Sequence, residues 1–234
     1  MREEIHRDGL LTDKFLATDP DCPTFGLNLA CAWLFPEAWR ESYERMARQL
    51  SELGPDCYVY PFPFTHITLV TFVSFARHTR PASQLVKTLE GKIPNILEAP
   101  SPLFAEDSSE QIKRFTLQPQ LLVLARGSGI LSLLNPDGEV ERLRHGTMEL
   151  LRRNEPLHHE LTGRGLNMPG IIHSTVTRFR RLPPNLEKFL TAFDEIATET
   201  NFQPMQVREI LLTSETKAYM RGGEILRRFR LADQ

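Results

Sequence analysis

The chain places a histidine, one intervening residue and a threonine inside two apolar stretches, Thr65-His66-Ile67-Thr68-Leu69-Val70 and Ile172-His173-Ser174-Thr175-Val176-Thr177. Side chains alternate along a β-strand, so a histidine and a threonine two apart leave the same face. His66 with Thr68, and His173 with Thr175, would each offer an imidazole and a hydroxyl to a common groove. Ile67, Leu69, Ser174 and Val176 would point the other way. Two such strands facing each other would put two acid/base groups and two hydroxyl donors around one bound group. Imidazole, with an ordinary pKa near about 6.5, takes or gives a proton at neutral pH.

The pattern alone is cheap, because His145-Gly146-Thr147 is a third copy. That copy lies in a polar stretch with helical character, where residues two apart point about 200° from each other and share no face. Context separates the other two: each sits in an apolar strand, at a corresponding place in two similar halves. Arg178 follows the second motif at an odd offset from His173. Strand period puts it on the opposite face unless the strand bulges, so it is not counted with the catalytic set.

The elements that must position these residues are readable from periodicity and breakers. Phe25 to Trp33 alternates as a strand. Pro36 opens a helix whose apolar stripe is Trp39, Tyr43, Met46, Leu50 and Leu53, closed by Gly54. Cys57–Tyr60 and Thr65–Phe72 read as strands around Pro61-Phe62-Pro63. A helix is predicted from near Pro81 through Leu89, weakening before Pro94. Ile112–Leu117 and Leu121–Ala125 flank Gln118-Pro119-Gln120, a hairpin candidate, and a short strand Ile130–Leu134 follows. Asn135-Pro136-Asp137-Gly138 is a turn before a helix over Glu139–Arg153. Asn154–Gly170 reads as a long loop leading into the second motif. A helix with Leu186, Leu190, Phe193 and Ile196 follows Pro183-Pro184, and strands Val207–Thr213 and Ile225–Leu231 close the chain. Hairpin-length connections and alternating strands imply antiparallel sheets covered by helices, an α+β plan.

At 234 residues, 41% hydrophobic and 25% charged, the composition is that of a soluble globular protein. A formal net charge of −2 argues against a large nucleic-acid footprint but leaves room for a nucleotide or an RNA end in a local groove. No apolar run approaches the about 18 residues of a membrane span, and Met1-Arg2-Glu3-Glu4 does not begin a secretory signal. Cys22, Cys31 and Cys57 form no CxxC pair, which fits free thiols in a reducing compartment, cytoplasmic or nuclear. The scattered Cys and His suggest no metal site.

With two His-x-Thr/Ser-x-apolar motifs, His66-Ile67-Thr68-Leu69 and His173-Ser174-Thr175-Val176, the chain resembles the 2H phosphoesterase superfamily. The resemblance spans roughly Phe25 to Leu231. It implies an α+β, bilobal, pseudo-symmetric pair of antiparallel sheets with flanking helices around a central cleft. Residues 1–24 would be a polar lead-in, and 25–234 one bilobal domain whose halves, roughly 25–117 and 121–234, could interleave. The implied activity is that of a phosphodiesterase needing neither metal nor cofactor. It would hydrolyse a cyclic phosphate or 2′,5′-type ester of a nucleotide or RNA end, acting as a monomer with no membrane partner. His66 and His173 would be paired acid and base, and Thr68 and Thr175 donors to phosphate oxygens. Among candidate substrate-binding residues, Tyr58, Tyr60 or Phe64 could stack a base. Tyr219, near the last strand, and Arg164, on the loop, complete the set. The alternative is a module that holds the same ligand without turning it over.

Overall fold

A computed structural model describes residues 2–17, 23–54, 56–77, 83–98, 103–104, 108 and 110–233. Nine strands form two antiparallel sheets among these residues. The first sheet has the order β3 (Ile67–Val73), β1 (Pro23–Ala32), β8 (Glu209–Lys217), β9 (Gly222–Arg230). The second runs β2 (Cys57–Val59), β6 (Ile172–Phe179), β5 (Ser128–Leu134), β4 (Phe115–Ala125), β7 (Met205–Val207). Each sheet mixes strands from early and late in the chain, and the two motif strands, β3 and β6, lie against each other where the sheets meet.

The helices follow the apolar stripes. The Glu37–Trp39 turn leads into α3 (Arg40–Glu52), whose Tyr43, Met46 and Leu50 are fully buried. It packs on β2 and on α7 (Leu186–Glu199), which lies over β4 and whose N-cap, Asn185, accepts from the Lys188 amide at 3.0 Å. Helix α5 (Glu139–Arg152) packs against β3 and α4 (Ser83–Glu98). The helix placed near Pro81 is α4. Its predicted start, like Cys22, lies outside the described residues, while Cys31 and Cys57 are free and buried. It also continues through Pro94 rather than weakening there. Leu89, Ile93 and Leu97, one turn apart and fully buried, outweigh the lost N–H.

Two other expectations change. Gln118-Pro119-Gln120 is not a hairpin: β4 runs straight through it, with a register shift between Pro119 and Leu122 opposite β5. The Leu121 backbone at this irregularity is satisfied by a side chain, its N–H donating to Ser132 Oγ at 3.2 Å and its carbonyl accepting from Oγ at 3.0 Å. The long loop 154–170 is mostly helix. Asn154 caps α6 (Glu155–Gly163), accepting from the Leu157 amide at 3.3 Å, with Pro156 in the first turn. Only residues after Gly163 remain irregular, and they are sewn to β3: Thr71 and Asn167 exchange both backbone hydrogen bonds, at 2.8 and 2.9 Å.

The opening residues also pack. Short helices α1 (Arg2–Asp8) and α2 (Lys14–Ala17) bury Ile5 and Leu16, and the Asp13 amide donates to the Phe179 carbonyl at 2.8 Å. Among the described residues no helix is long and apolar enough to cross a membrane.

One local feature re-aims β6. Gly129 pairs with Thr177 and Ile130 with Thr175, so Val176 is an extra residue, a β-bulge. Thr177 then turns into the core, fully buried, its hydroxyl donating to the Tyr58 carbonyl at 2.8 Å. Gly129 permits this close approach, since a Cβ there would sit 2.6 Å from Thr177 Cγ2 and 3.1 Å from the Phe193 ring. Gly129→Ala is therefore expected to overpack the bulge and cost about 1–3 kcal/mol, read as a Tm lowered by several degrees in thermal denaturation. An unchanged Tm would show that the strand pair opens freely.

Candidate active site

The Pro61-Phe62-Pro63 stretch folds the chain before the first histidine. A 3₁₀ turn over Phe62–Phe64 is held by the Thr65 hydroxyl, which donates to the Phe62 carbonyl and accepts from the Phe35 amide, both at 2.9 Å. His66 emerges from this turn at the head of β3. Its Nδ1 lies 2.9 Å from the Phe64 carbonyl. His173, on β6, repeats the arrangement, with Nδ1 3.3 Å from the Ile171 carbonyl. In both cases the partner is the carbonyl two residues earlier. A carbonyl only accepts, so Nδ1 carries the proton, and Nε2 is left with its lone pair for a ligand.

Both imidazoles open onto one cleft of about 380 Å³, together with Thr68 and Thr175. The strand-period reading of the four motif residues thus agrees with their placement. Burial lowers the His66 pKa to about 4, and the charges of Arg178 and His173 add to that effect against the hydrogen bond to Phe64. His173 is lowered for the same leading reason, with Arg178 and Arg144 contributing. Both rings are therefore neutral at pH 7.

Arg178 is the principal residue that strand period misplaces. The Val176 bulge shifts the parity of β6, and Arg178 joins His173 and Thr175 in the cleft wall. Its guanidinium is held from three sides. Nε donates to the Tyr60 hydroxyl at 3.1 Å, Nη1 pairs with Asp13 at 3.3 Å, and the group lies over the Tyr219 ring at 4.5 Å. Asp13 is itself fixed, accepting from the amides of Phe15 and Leu16 at 2.9 and 3.0 Å and from the Tyr219 hydroxyl.

Of the five candidate substrate-binding residues, Tyr60 and Tyr219 line the cleft. Tyr58, Phe64 and Arg164 do not. Tyr58 packs edge-on to Tyr60 and under the Arg180 guanidinium. Phe64 is half-buried against the Leu16–Tyr60–Tyr219 cluster, and its backbone rather than its ring serves the site. Arg164 pairs with Glu160 at 3.2 Å on α6, one turn back, because the presumed loop is helical there.

Asp13, Asn28 and Glu215 were not foreseen. Glu215 is buried in the cleft wall. Burial raises its pKa to about 7, against hydrogen bonds from the Met220 amide, Asn28 and the Tyr219 amide. That carboxyl steadies two successive non-glycine residues at positive φ, Tyr219 (64°) and Met220 (58°), with the Met220 amide 2.7 Å away. No short pattern marks these residues as part of the site, since what brings them to it, the Arg178–Asp13 pair and the place of Glu215 beside Asn28, spans most of the chain.

Chemically, the cleft combines two neutral imidazoles with available Nε2 atoms, two hydroxyls and a fixed guanidinium. That set matches a tetrahedral anion flanked by two proton acceptors, either of which becomes a donor once it is protonated.

No protein-family model matches the sequence, and no curated protein matches it. Solved structures do. TT0787 of Thermus thermophilus is 18% identical with a TM-score of 0.51, the match covering 89% of this chain and 99% of that one. LigT of E. coli, solved in complex with 3′-AMP, is 16% identical with a TM-score of 0.48, covering 90% and 99%. The MHV ns2 PDE domain is 16% identical with a TM-score of 0.40, covering 87% and 97%. Two antiparallel sheets with flanking helices, superposable on TT0787 over most of both chains, show that this protein shares the α+β fold of that structure.

Proposed function

We propose that the protein is a phosphodiesterase that opens a cyclic phosphate or 2′,5′-type ester of a nucleotide or RNA end by paired histidine acid–base catalysis. The observation that carries this reading is the matched locking of His66 and His173 in one cleft, each with Nδ1 on a backbone carbonyl and Nε2 left for the ligand. In this scheme one Nε2 takes a proton from water and the water oxygen attacks phosphorus. The bond from phosphorus to the ribose oxygen breaks, and that oxygen takes a proton from Nε2 of the other ring, which enters this step as the imidazolium. His66, the more strongly depressed ring, stays unprotonated and is assigned the base. His173 is assigned the acid. Thr68, Thr175 and Arg178 bind the phosphate oxygens, where negative charge builds in the transition state. The residues supply acid, base and cation themselves, so the scheme calls for no metal, and turnover is expected to survive EDTA.

Replacing either histidine should remove a proton-transfer group, worth about 10²–10⁴ in rate. His66→Ala and His173→Ala are each expected to lower kcat on a 2′,3′-cyclic nucleotide by at least about a hundredfold, while a nucleoside monophosphate still binds by calorimetry. Undiminished turnover in both variants would sink the proposal. Tight binding without any product in the wild type would favour a non-catalytic module.

The assignment also fixes a pH dependence. The base must be unprotonated, which for free His66 holds above about 4. The acid must be protonated, which for free His173 holds only below a value under that of ordinary imidazole. Since kcat/KM reports the free enzyme, its profile is expected to be a bell peaking on the acid side of neutrality. A profile still rising above neutrality would remove His173 as the acid.

A further inference from the structure

Arg144 lies on α5, outside the cleft, beside the rejected His145-Gly146-Thr147 copy. It is 2% exposed, a rare place for a cation. Its donors reach three groups. Nε donates to the Leu69 carbonyl at 3.2 Å, Nη2 to the Ile171 carbonyl at 3.4 Å, and Nη1 to Glu141 at 2.8 Å. Leu69 follows Thr68 on β3. Ile171 carries the carbonyl that receives the His173 Nδ1–H. One guanidinium therefore ties the backbones of both motif segments, one from each sheet. The helix holding it is anchored by fully buried Val140, Leu143 and Leu151, so the side chain starts from a fixed point.

We infer that Arg144 is a positioning residue: it holds the two motif strands at a set spacing and fixes the His173 imidazole through the carbonyl the two side chains share. The inference rests on the reading of the cleft as a catalytic histidine pair. Burying a cation is costly, and its only acidic partner in this contact, Glu141, has a side chain 60% exposed. An apolar residue would fill the space without that cost, but it could not bond to both carbonyls. Lysine could carry the charge, yet its single ammonium lacks the planar fork that spans two acceptors.

Two effects on His173 follow. Bonding from Arg144 makes the Ile171 oxygen a shared acceptor, so the ring is aimed by a carbonyl that is itself clamped. The nearby positive charge also opposes protonation of the ring. The charges acting on His173 are Arg178 on its own strand and Arg144 from α5, with Glu141 behind Arg144, and the other titratable groups that share its cleft are His66 from the head of β3 and Glu215 from β8.

Histidine-ring NMR titrations and steady-state kinetics on the full chain separate these effects. In Arg144→Met, His173 should titrate at higher pH than in wild type, and kcat should fall about tenfold to a hundredfold, with KM changed less than about threefold. In Arg144→Lys the His173 titration should stay near wild type while kcat still falls, since charge is kept and the two-carbonyl bond is lost. A folded Arg144→Met protein with wild-type His173 titration and wild-type kcat would overturn the inference. Should that variant fail to fold, Glu141→Gln, at an exposed position, should move the His173 titration to lower pH, and an unmoved titration there would overturn it instead. The NMR readout does not need turnover. If the wild type cleaves no phosphodiester, the proposed activity fails, while the effect of Arg144 on His173 is still decided.

Discussion

Each cleft imidazole is anchored through Nδ1 to the carbonyl two residues before it. This single constraint sets the tautomer, presents Nε2 to the ligand and makes the aim of the ring a property of the backbone. The rest of the structure can be understood as what holds those two carbonyls. The halves solve the problem differently. The Phe64 carbonyl is set by a proline-rich 3₁₀ turn, with Thr65 bonded to it on one side and to the Phe35 amide on the other. The Tyr43 hydroxyl, donating to the Tyr60 carbonyl at 2.8 Å, fixes the turn to α3. The Ile171 carbonyl has no such turn, and it is reached instead by a guanidinium from α5.

A second layer of order surrounds Arg178. A guanidinium that is to meet a ligand in a cleft must be held in one position. Here Asp13, Tyr60 and Tyr219 define its position, and Asp13 is tied down by two backbone amides of its own. Holding Tyr219 in place requires two left-handed residues in a row, at roughly 1–3 kcal/mol each. The buried Glu215 carboxyl meets the Met220 amide at 2.7 Å and offsets part of that strain. Asp13 and Glu215 come from opposite ends of the chain, so the cleft depends on the N-terminal segment as much as on the motif strands.

This division explains what could be read from residue order. Alternation is local and robust, so it places His66/Thr68 and His173/Thr175 toward one groove, which all four line, and helical period marks the stripes of α3 and α7. Parity fails where a single inserted residue breaks it. Val176 carried no signal for a bulge, because the cause lies across the sheet, where Gly129 leaves room for Thr177 to turn inward. The helix α6 was legible in principle: Asn154-Glu155-Pro156 is a cap followed by a first-turn proline, but its sparse apolar residues hid the period. The bulged passage of β4 through Pro119 rests on Ser132, and the continuation of α4 through Pro94 rests on core packing. Asp13 and Arg144 act through partners many residues away, and Glu215 through a left-handed Tyr219–Met220 pair that no residue type announces, so one-dimensional pattern holds no record of these contacts.

In the proposed reading, these same forces decide when the cleft becomes competent. Before a ligand arrives, burial and the Arg178 charge keep both imidazoles neutral, and a charge on His173 would disfavour protonation of His66. A resting site thus holds two bases and no acid. A phosphodiester brings one negative charge into the same low-dielectric space, between the rings and beside Arg178. Its field opposes the effects that suppressed protonation, but it cannot support two imidazolium rings side by side, because their mutual repulsion remains. One proton therefore enters with the anion, and it resides on the ring with the smaller handicap, His173. The asymmetry needed for acid–base catalysis is then created by the substrate out of two nearly equivalent motifs, and it follows from unequal burial rather than from different side chains.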